Sequence, residues 1–331
     1  MTERNRRIVL RQRPHGPVTR ECFDTEELPV PEPGEGEALV KVELLSVDPT
    51  IRGWMAMDTY LPAIAIGDVI RSSGLGEVVA SNNDRYPVGS TVAGLTGWQE
   101  YAVLADDLTQ VIPDEIDAEA AMSVYGITGV TAYFGLLDVG RPEPGETVLV
   151  SGAAGATGSV AGQIARIKGC RVVGIAGSDE KCAWLTGELG FDAAVNYRTD
   201  DVAARIGETC PDGVDVFFDN VGGEILDAAL GHLAMHGRVV MCGSISTYND
   251  EEPPPGPRNL PVLISRRGRM EGFIVLDYLD RYVHAAIELG GWVEAGELRY
   301  AVDVLDGLDS APDGLERLFT GANTGKVLVR L

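Results

Sequence analysis

Residues 147–164, TVLVSGAAGATGSVAGQI, place an apolar run, a glycine-rich turn and a helix-forming run in direct succession. Aligned to the spacing G-x-G-x-x-G, the turn reads Ala153-x-Gly155-x-x-Gly158, with the smallest chiral residue in the first position. This spacing serves a dinucleotide. Gly155 lets the backbone approach a pyrophosphate, and Gly158 and Gly162 let the next helix pack close to the strand. Ala156 and Thr157 lie in the first helical turn, where free N–H groups and a partial positive charge meet the phosphates. Alone, such a turn is often only a tight connection. With a strand before it, a helix after it and further strand–helix units following, it reads as a nucleotide site. No G-K-[ST] closes the turn, which excludes a Walker A loop.

About twenty residues on, the run VVGIAGSDEK (172–181) should end in Asp or Glu if the ligand were NAD, to hold the ribose hydroxyls. It ends instead in Ala176 and Gly177, and Ser178 and Lys181 follow. NADP carries a 2′-phosphate that a carboxylate would repel. Gly177 removes the repulsion, Ser178 can donate a hydrogen bond, and Lys181 can reach the dianion from the first turn of the next helix. Tyr197, ending the next strand, could add its hydroxyl. The competing reading of Lys181 is one exposed helix lysine, but the chain has only four, at 41, 168, 181 and 326. The cofactor expected is NADP(H).

These residues need a scaffold. Residues 118–140 look helical, interrupted around Gly126–Gly129. Strands and helices then alternate: TVLVSG, a helix near 157–168, RVVGIAG, a helix near 179–189, AAVNY, a helix near 200–207, VDVFFDN, a helix near 223–234, and RVVMCG. Alternation of this kind is the mark of an α/β, Rossmann-type doubly wound parallel sheet, and the apolar runs fit strands covered on both faces. Before it, IVLRQR, EALVKVELLSV, LGEVVAS, STVAGL and WQEYAVL predict a β-barrel-like or sandwich domain. After Gly243, ISTYNDEEPPPGPRNLP is either a disordered surface loop or an ordered lid. Then come a helical VLISRRGRM, a strand FIVL, a helix near 278–290, LRYAVDVL, a helix near 311–319 and KVLVRL. The last β-like segments could return to complete the first domain.

A chain of 331 residues suggests about two domains. No apolar run approaches the roughly 20 residues of a membrane span, and the Arg-rich start MTERNRRIVL lacks a signal-peptide core, so the expectation is a cytoplasmic protein. The net charge of −23 argues against nucleic-acid or anionic-membrane partners. It fits either adaptation to concentrated salt or an ordinary acidic surface with GC-rich codon usage. The cysteines at 22, 170, 182, 210 and 242 form no C-x-x-C pair, so no disulfide framework is expected. His232 and His236 could share a helix face, but only Cys242 lies near them, and a zinc site needs three or four ligands. No metal is expected.

GSVAGQIARIKGCRVVGIAGSDEK, FDNVGGEILDAAL, CGSISTYN, RMEGFIV and the closing NTGKVLV, together with LLSVDPTIRGWM and GITGVTAYFGLLDVG, resemble the zinc-independent medium-chain dehydrogenase/reductases. The branch they resemble holds prostaglandin reductases, plant double-bond reductases and bacterial curcumin reductases. The resemblance implies a GroES-like domain over 1–120, completed by about 295–331, and a Rossmann domain over 121–294. It implies NADPH-dependent reduction of the carbon–carbon double bond of α,β-unsaturated ketones or aldehydes, and a homodimer. Carried over by position, Gly155, Ala156, Thr157 and Gly158 would hold the pyrophosphate, Ser178, Lys181 and Tyr197 the adenosine end, and Asn220 the middle of the cofactor. Cys242, Gly243, Ser244, Ile245, Ser246, Thr247 and Tyr248 would line the ribose and nicotinamide. Phe273, Ile274 and Val275 would meet the carboxamide, and Asn323 would return from the tail. DNVGG and CGS also read as ordinary strand-end turns, and FIV as a buried strand.

The chain departs from the branch at Thr50, where many members have Tyr, and at Thr128, where many have Pro; both are expected to edge the substrate pocket. Tyr60 and Tyr125 are further candidates to face substrate. Cys22 and His15 are the only Cys and His residues in the first half, against the ligand-rich lobe of zinc alcohol dehydrogenases. Enone reduction without metal needs hydride placed about 3–3.5 Å from the β-carbon and a donor for the charge growing on oxygen. Tyr248 is the candidate donor, directly or through the nicotinamide ribose. The rivals are a quinone reductase on the same fold and a non-catalytic nicotinamide-binding protein.

Overall fold

The computed structural model describes residues 4–105 and 108–331. The chain divides into two units, Met1–Met122 with Val302–Leu331, and Ser123–Ala301. The Arg-rich start begins outside the described residues; from Arg4 it is strand.

The first unit opens with β1 (Arg4–Leu10), β2 (Phe23–Pro29) and β3 (Ala38–Val47), followed by a short helix α1 (Thr50–Ala56), which the strand-by-strand reading of this region did not include. Then come β4 (Gly74–Ser81), β5 (Thr91–Gly94), β6 (Tyr101–Leu104), β7 (Gln110–Val111) and α2 (Ala118–Met122). WQEYAVL is strand only from Tyr101, and IVLRQR is strand only to Leu10. Trp98 is buried in the core instead, its ring 5.5 Å from that of Phe23. Helix α1 forms because Pro49 sets its N-terminus, and it drives Ile51 and Met55 into the core.

The second unit contains α3 (Ile127–Phe134), a π-helical turn over Gly135–Gly140, β8 (Thr147–Val150), α4 (Ala156–Ile167), β9 (Arg171–Ala176), α5 (Asp179–Gly187), β10 (Ala193–Asn196), α6 (Val202–Thr209), β11 (Val214–Asp219), α7 (Gly223–Gly231), β12 (Leu233–Met241), α8 (Val262–Arg266), β13 (Arg269–Gly272) and α9 (Tyr282–Glu294). The strand order is β10-β9-β8-β11-β12-β13, and every pairing is parallel. All six carboxyl ends therefore lie along one edge, and the chain reverses direction across the sheet between β8 and β11. In doubly wound sheets ligands sit at such a switch point. β8 and most of β9 and β11 are buried, as strands covered on both faces must be.

Three local expectations fail here. FIVL is not a strand: β13 ends at Gly272, and Val275–Arg281 winds into a 3-10 turn. The helix in VLISRRGRM stops at Arg266 because Arg267 turns left-handed (φ 52°), and Arg269 pairs with β12 instead. His232 closes α7 while His236 sits in β12 at φ 63°, so the two share no helix face. The proline-rich segment is exposed from 250 to 256 and is tied at Asn259, whose N donates to Asp227 Oδ1 at 2.7 Å.

The tail, β14 (Val302–Asp306), α10 (Ala311–Thr320) and β15 (Lys326–Arg330), belongs to the first unit. β14 pairs parallel with β15, and β15 pairs antiparallel with β3, completing the sheet β14-β15-β3-β4-β5-β7. Lys326 is buried; its Nζ donates to Val47 O at 3.0 Å and Asp48 Oδ1 at 2.6 Å, which ties the tail to the loop before α1.

Most other ion pairs lie at the surface, such as Arg6–Asp309 at 2.9 Å and Arg7–Glu26 at 2.7 Å. Ion pairing leaves the formal net charge at −23, so self-repulsion persists. The melting temperature should rise between dilute buffer and about 1 M KCl, where the screening length falls to roughly 3 Å. A flat profile in a thermal scan would leave the acidity as ordinary solubility.

No helix among the described residues is long and apolar enough to cross a membrane.

Candidate functional site

Three consecutive turns meet at the carboxyl edge beside the switch point. The first follows β8. Its backbone closes with Gly155 N donating to Gly152 O at 3.0 Å, and Gly155 then serves as N-cap of α4. No side chain caps this helix, so the N–H groups over Ala156–Gly158 are left for an outside acceptor. A Cβ at Gly158 would stand 2.4 Å from Gly152 O, so only glycine lets the helix start this close to the turn. The open N-terminus, the missing Cβ and the switch-point position fit a pyrophosphate.

The second turn follows β11. Asn220 donates from N to Ser151 Oγ at 2.8 Å and from Nδ2 to Ser151 O at 2.7 Å. Its amide thereby braces the first turn and leaves Oδ1 to accept from a ligand hydroxyl. Gly222 takes φ 72°, and a Cβ there would fall 2.2 Å from Ser244 Oγ, so the second turn is fitted directly against the third.

The third turn follows β12. Cys242 N and Gly243 N donate to Asp219 O at 2.9 and 3.0 Å, Ile245 N to Asn220 O at 3.3 Å, and Ser246 Oγ to Val221 O at 2.6 Å. Ser244 Oγ and Thr247 Oγ1 are 2.9 Å apart. These hydroxyls shape the loop. Burial, and then the charge of Asp219, pushes the Cys242 thiol up to about 12, so it stays protonated. The Tyr248 hydroxyl accepts from Ser244 N at 3.2 Å, which leaves its own hydrogen to donate. Burial raises its pKa against the opposing Ser244 hydrogen bond.

A second group forms at the ends of β9 and β10. Ser178 caps α5, its Oγ accepting from Lys181 N at 3.3 Å, so cap and lysine lie on one turn. The Glu180 carboxylate lies below its ordinary range through its own backbone N–H and the Ser178 hydroxyl, so an acid also stands near this group. The Tyr197 hydroxyl covers Gly177 so closely that a Cβ there would lie 2.8 Å from it. Arg198 sets its guanidinium 5.8 Å from the Tyr197 ring centroid, a second base that sequence reading passed over.

Phe273 packs its ring against Gly135, where a Cβ would stand 2.4 Å away, and Ile274 is extended before Val275 begins the 3-10 turn. Tyr125 lies in the turn before α3, its carbonyl accepting from Tyr282 Oη at 2.8 Å, and Thr128 Oγ1 donates to Ser123 O at 3.1 Å. Thr50, Tyr60 and Asn323 belong to the first unit. Thr50 opens α1, Tyr60 is half exposed beside Trp54, and buried Asn323 donates to Gly325 O at 3.0 Å. Besides Arg198, sequence reading missed Ser151 and Asp219. An acid ending the apolar run VDVFFD was the one available signal for the latter.

Known proteins resemble this chain over nearly its whole length. Residues 6–112 match a family described as the N-terminal domain of oxidoreductase, and 156–290 one described as zinc-binding dehydrogenase. The NADPH-dependent curcumin reductase of Escherichia coli (strain K12) is 42% identical over 99% of this chain and 97% of its own. The chain belongs to the medium-chain dehydrogenase/reductases. More narrowly, it falls in their curcumin, alkenal and prostaglandin reductase branch. The NADP(+)-dependent 2-alkenal reductase of Nicotiana tabacum is 41% identical over 92% of this chain and 90% of its own. The crystal structure of CurA in complex with NADPH from Vibrio vulnificus superimposes with a TM-score of 0.93 at 38% identity, covering 98% of each chain.

The family model's description mentions zinc, yet the described residues contain no group of three or more His, Cys, Asp or Glu placed for a metal. A catalytic zinc takes three protein ligands. Activity should therefore survive prolonged dialysis against a chelator. Stoichiometric zinc, with activity lost on its removal and regained on its return, would overturn that expectation.

Proposed function

We propose that this medium-chain reductase, an NADP-dependent oxidoreductase, reduces the carbon–carbon double bond of α,β-unsaturated ketones or aldehydes. Bound NADPH supplies the hydride at C4 of its nicotinamide. The N-terminus of α4 takes the pyrophosphate, Asn220 Oδ1 a ribose hydroxyl, and Lys181, Ser178 and Tyr197 the 2′-phosphate. Tyr248 donates a hydrogen bond to the enolate oxygen that develops on the substrate carbonyl, directly or through the nicotinamide ribose, and keeps its proton, while the α-carbon takes its proton from solvent.

The observation that carries this reading is the Tyr248 hydroxyl, protonated, satisfied as an acceptor by Ser244 N and with its donor unspent. The names of the relatives support the substrate class. Incubating the purified protein with NADPH and a panel of enones, quinones and alcohols, while following NADPH absorbance, tests it. Turnover of enones well above that of simple quinones is expected; turnover of quinones alone would replace the reading with quinone reduction.

The same reading includes a homodimer, supported by the exposed Val283 and Ile287 of α9, 65% and 70% accessible. Light scattering that returned the single-chain mass of 35.2 kDa would overturn it.

A further inference from the structure

Asp219 is the one buried carboxylate among the described residues, with no accessible surface, and it forms no ion pair with a Lys or Arg. A carboxylate in that setting is costly unless hydrogen bonds replace water. Its Oδ1 accepts from Ser151 Oγ at 2.7 Å, Val221 N at 3.0 Å and Gly222 N at 3.0 Å, and its Oδ2 lies 3.1 Å from the same Gly222 N. Ser151 opens the turn that leads into α4, and its hydroxyl accepts in turn from Asn220 N. The backbone carbonyl of Asp219 takes Cys242 N and Gly243 N, the first residues of the loop that ends at Tyr248. One residue thus links the strand-end turns of β8, β11 and β12. Burial raises its pKa against the pull of these donors.

We infer that Asp219 is a positioning residue of the cofactor site, which holds the phosphate turn, Asn220 and the Cys242–Tyr248 loop in mutual register and so sets cofactor affinity without touching the cofactor. The inference rests on the proposed assignment of this sheet edge to NADPH. A loss of register here acts on the pyrophosphate and nicotinamide ends, which NADPH and NADH share. Its signature therefore differs from that of a residue facing the 2′-phosphate.

Asp219→Asn keeps an acceptor for the three donors at Oδ1 but turns its Nδ2 toward Gly222 N–H, donor against donor. Ser151→Ala removes the link from the other side. Titration calorimetry with NADPH and with NADH should show both variants weakened about ten- to a hundredfold for both cofactors, with cooperative unfolding retained. The double variant should bind no worse than the weaker single one, because both break the same link. Unchanged affinities, losses that add in full, or a loss confined to NADPH would overturn the inference. If Asp219→Asn does not fold, Ser151→Ala with both cofactors decides alone. Should Lys181→Ala lose NADPH affinity while Asp219→Asn and Ser151→Ala lose none, only the positioning role fails; should all three leave affinity unchanged, the cofactor assignment of this edge fails.

Discussion

Tyr248→Phe is expected to lower kcat by about ten- to a thousandfold, the range from a weak donor to an oxyanion-hole contact, while the fold barely responds. The hydroxyl accepts a single hydrogen bond, from Ser244 N at 3.2 Å. Losing it costs about 0.5–1.5 kcal/mol, which is small for a domain of this size. If the tyrosine serves only to hold the loop, the outcome reverses: the melting temperature drops and kcat per folded molecule stays near wild type. Both quantities should be measured on one preparation with a simple enone and saturating NADPH. The pH profile adds an independent check. Burial holds the phenol above its ordinary 10.0, so it remains a donor throughout the neutral range. An alkaline loss of kcat well below that value would assign the limb to another group. An unchanged kcat in the variant would remove Tyr248 from the mechanism and leave placement of hydride and substrate as the source of rate.

Lys181→Ala should weaken NADPH binding by roughly ten- to a hundredfold and leave NADH nearly unaffected. One charge-assisted contact to the 2′-phosphate contributes about 1.5–3 kcal/mol, and NADH has no such group. The geometry makes the lysine's placement specific. Ser178 caps α5 by accepting from Lys181 N, so the lysine emerges from the turn that follows Gly177. Tyr197, which covers that glycine, is braced by Arg198. Equal losses for both cofactors would show that the lysine supports the fold of the turn instead of meeting the phosphate. Introducing a negative charge at this point, Gly177→Asp, cannot substitute as a test, because its Cβ would already stand 2.8 Å from the Tyr197 hydroxyl.

Alternating apolar runs and helix-forming stretches were enough to determine the doubly wound sheet, because strands buried on both faces must be almost continuously apolar and their crossovers must be helices. The glycine spacing over 153–158 and the missing acid after β9 were equally legible, since both express one local requirement at one turn. Where local signals compete, sequence decided less. FIVL has the composition of a strand, yet the chain folds Val275–Arg281 into a 3-10 turn after β13 has already ended. VLISRRGRM reads as helix, yet Arg269 finds a ladder partner in Arg238. Thr50–Ala56 looked like part of a β domain and became a helix because burying Ile51 and Met55 together requires helical spacing. The return of β15 to β3 rests on partners some 280 positions apart in sequence, as in Leu328 opposite Ser46, which no local pattern reports. The same holds for Asp219. Its acid is visible in the run VDVFFD, but its burial and its three donors come from Ser151 in one turn and Val221 and Gly222 in another. Only the closing of the parallel sheet brings the Ser151 turn alongside, and a carboxylate can lie in such a place only when the fold has already supplied its hydrogen bonds.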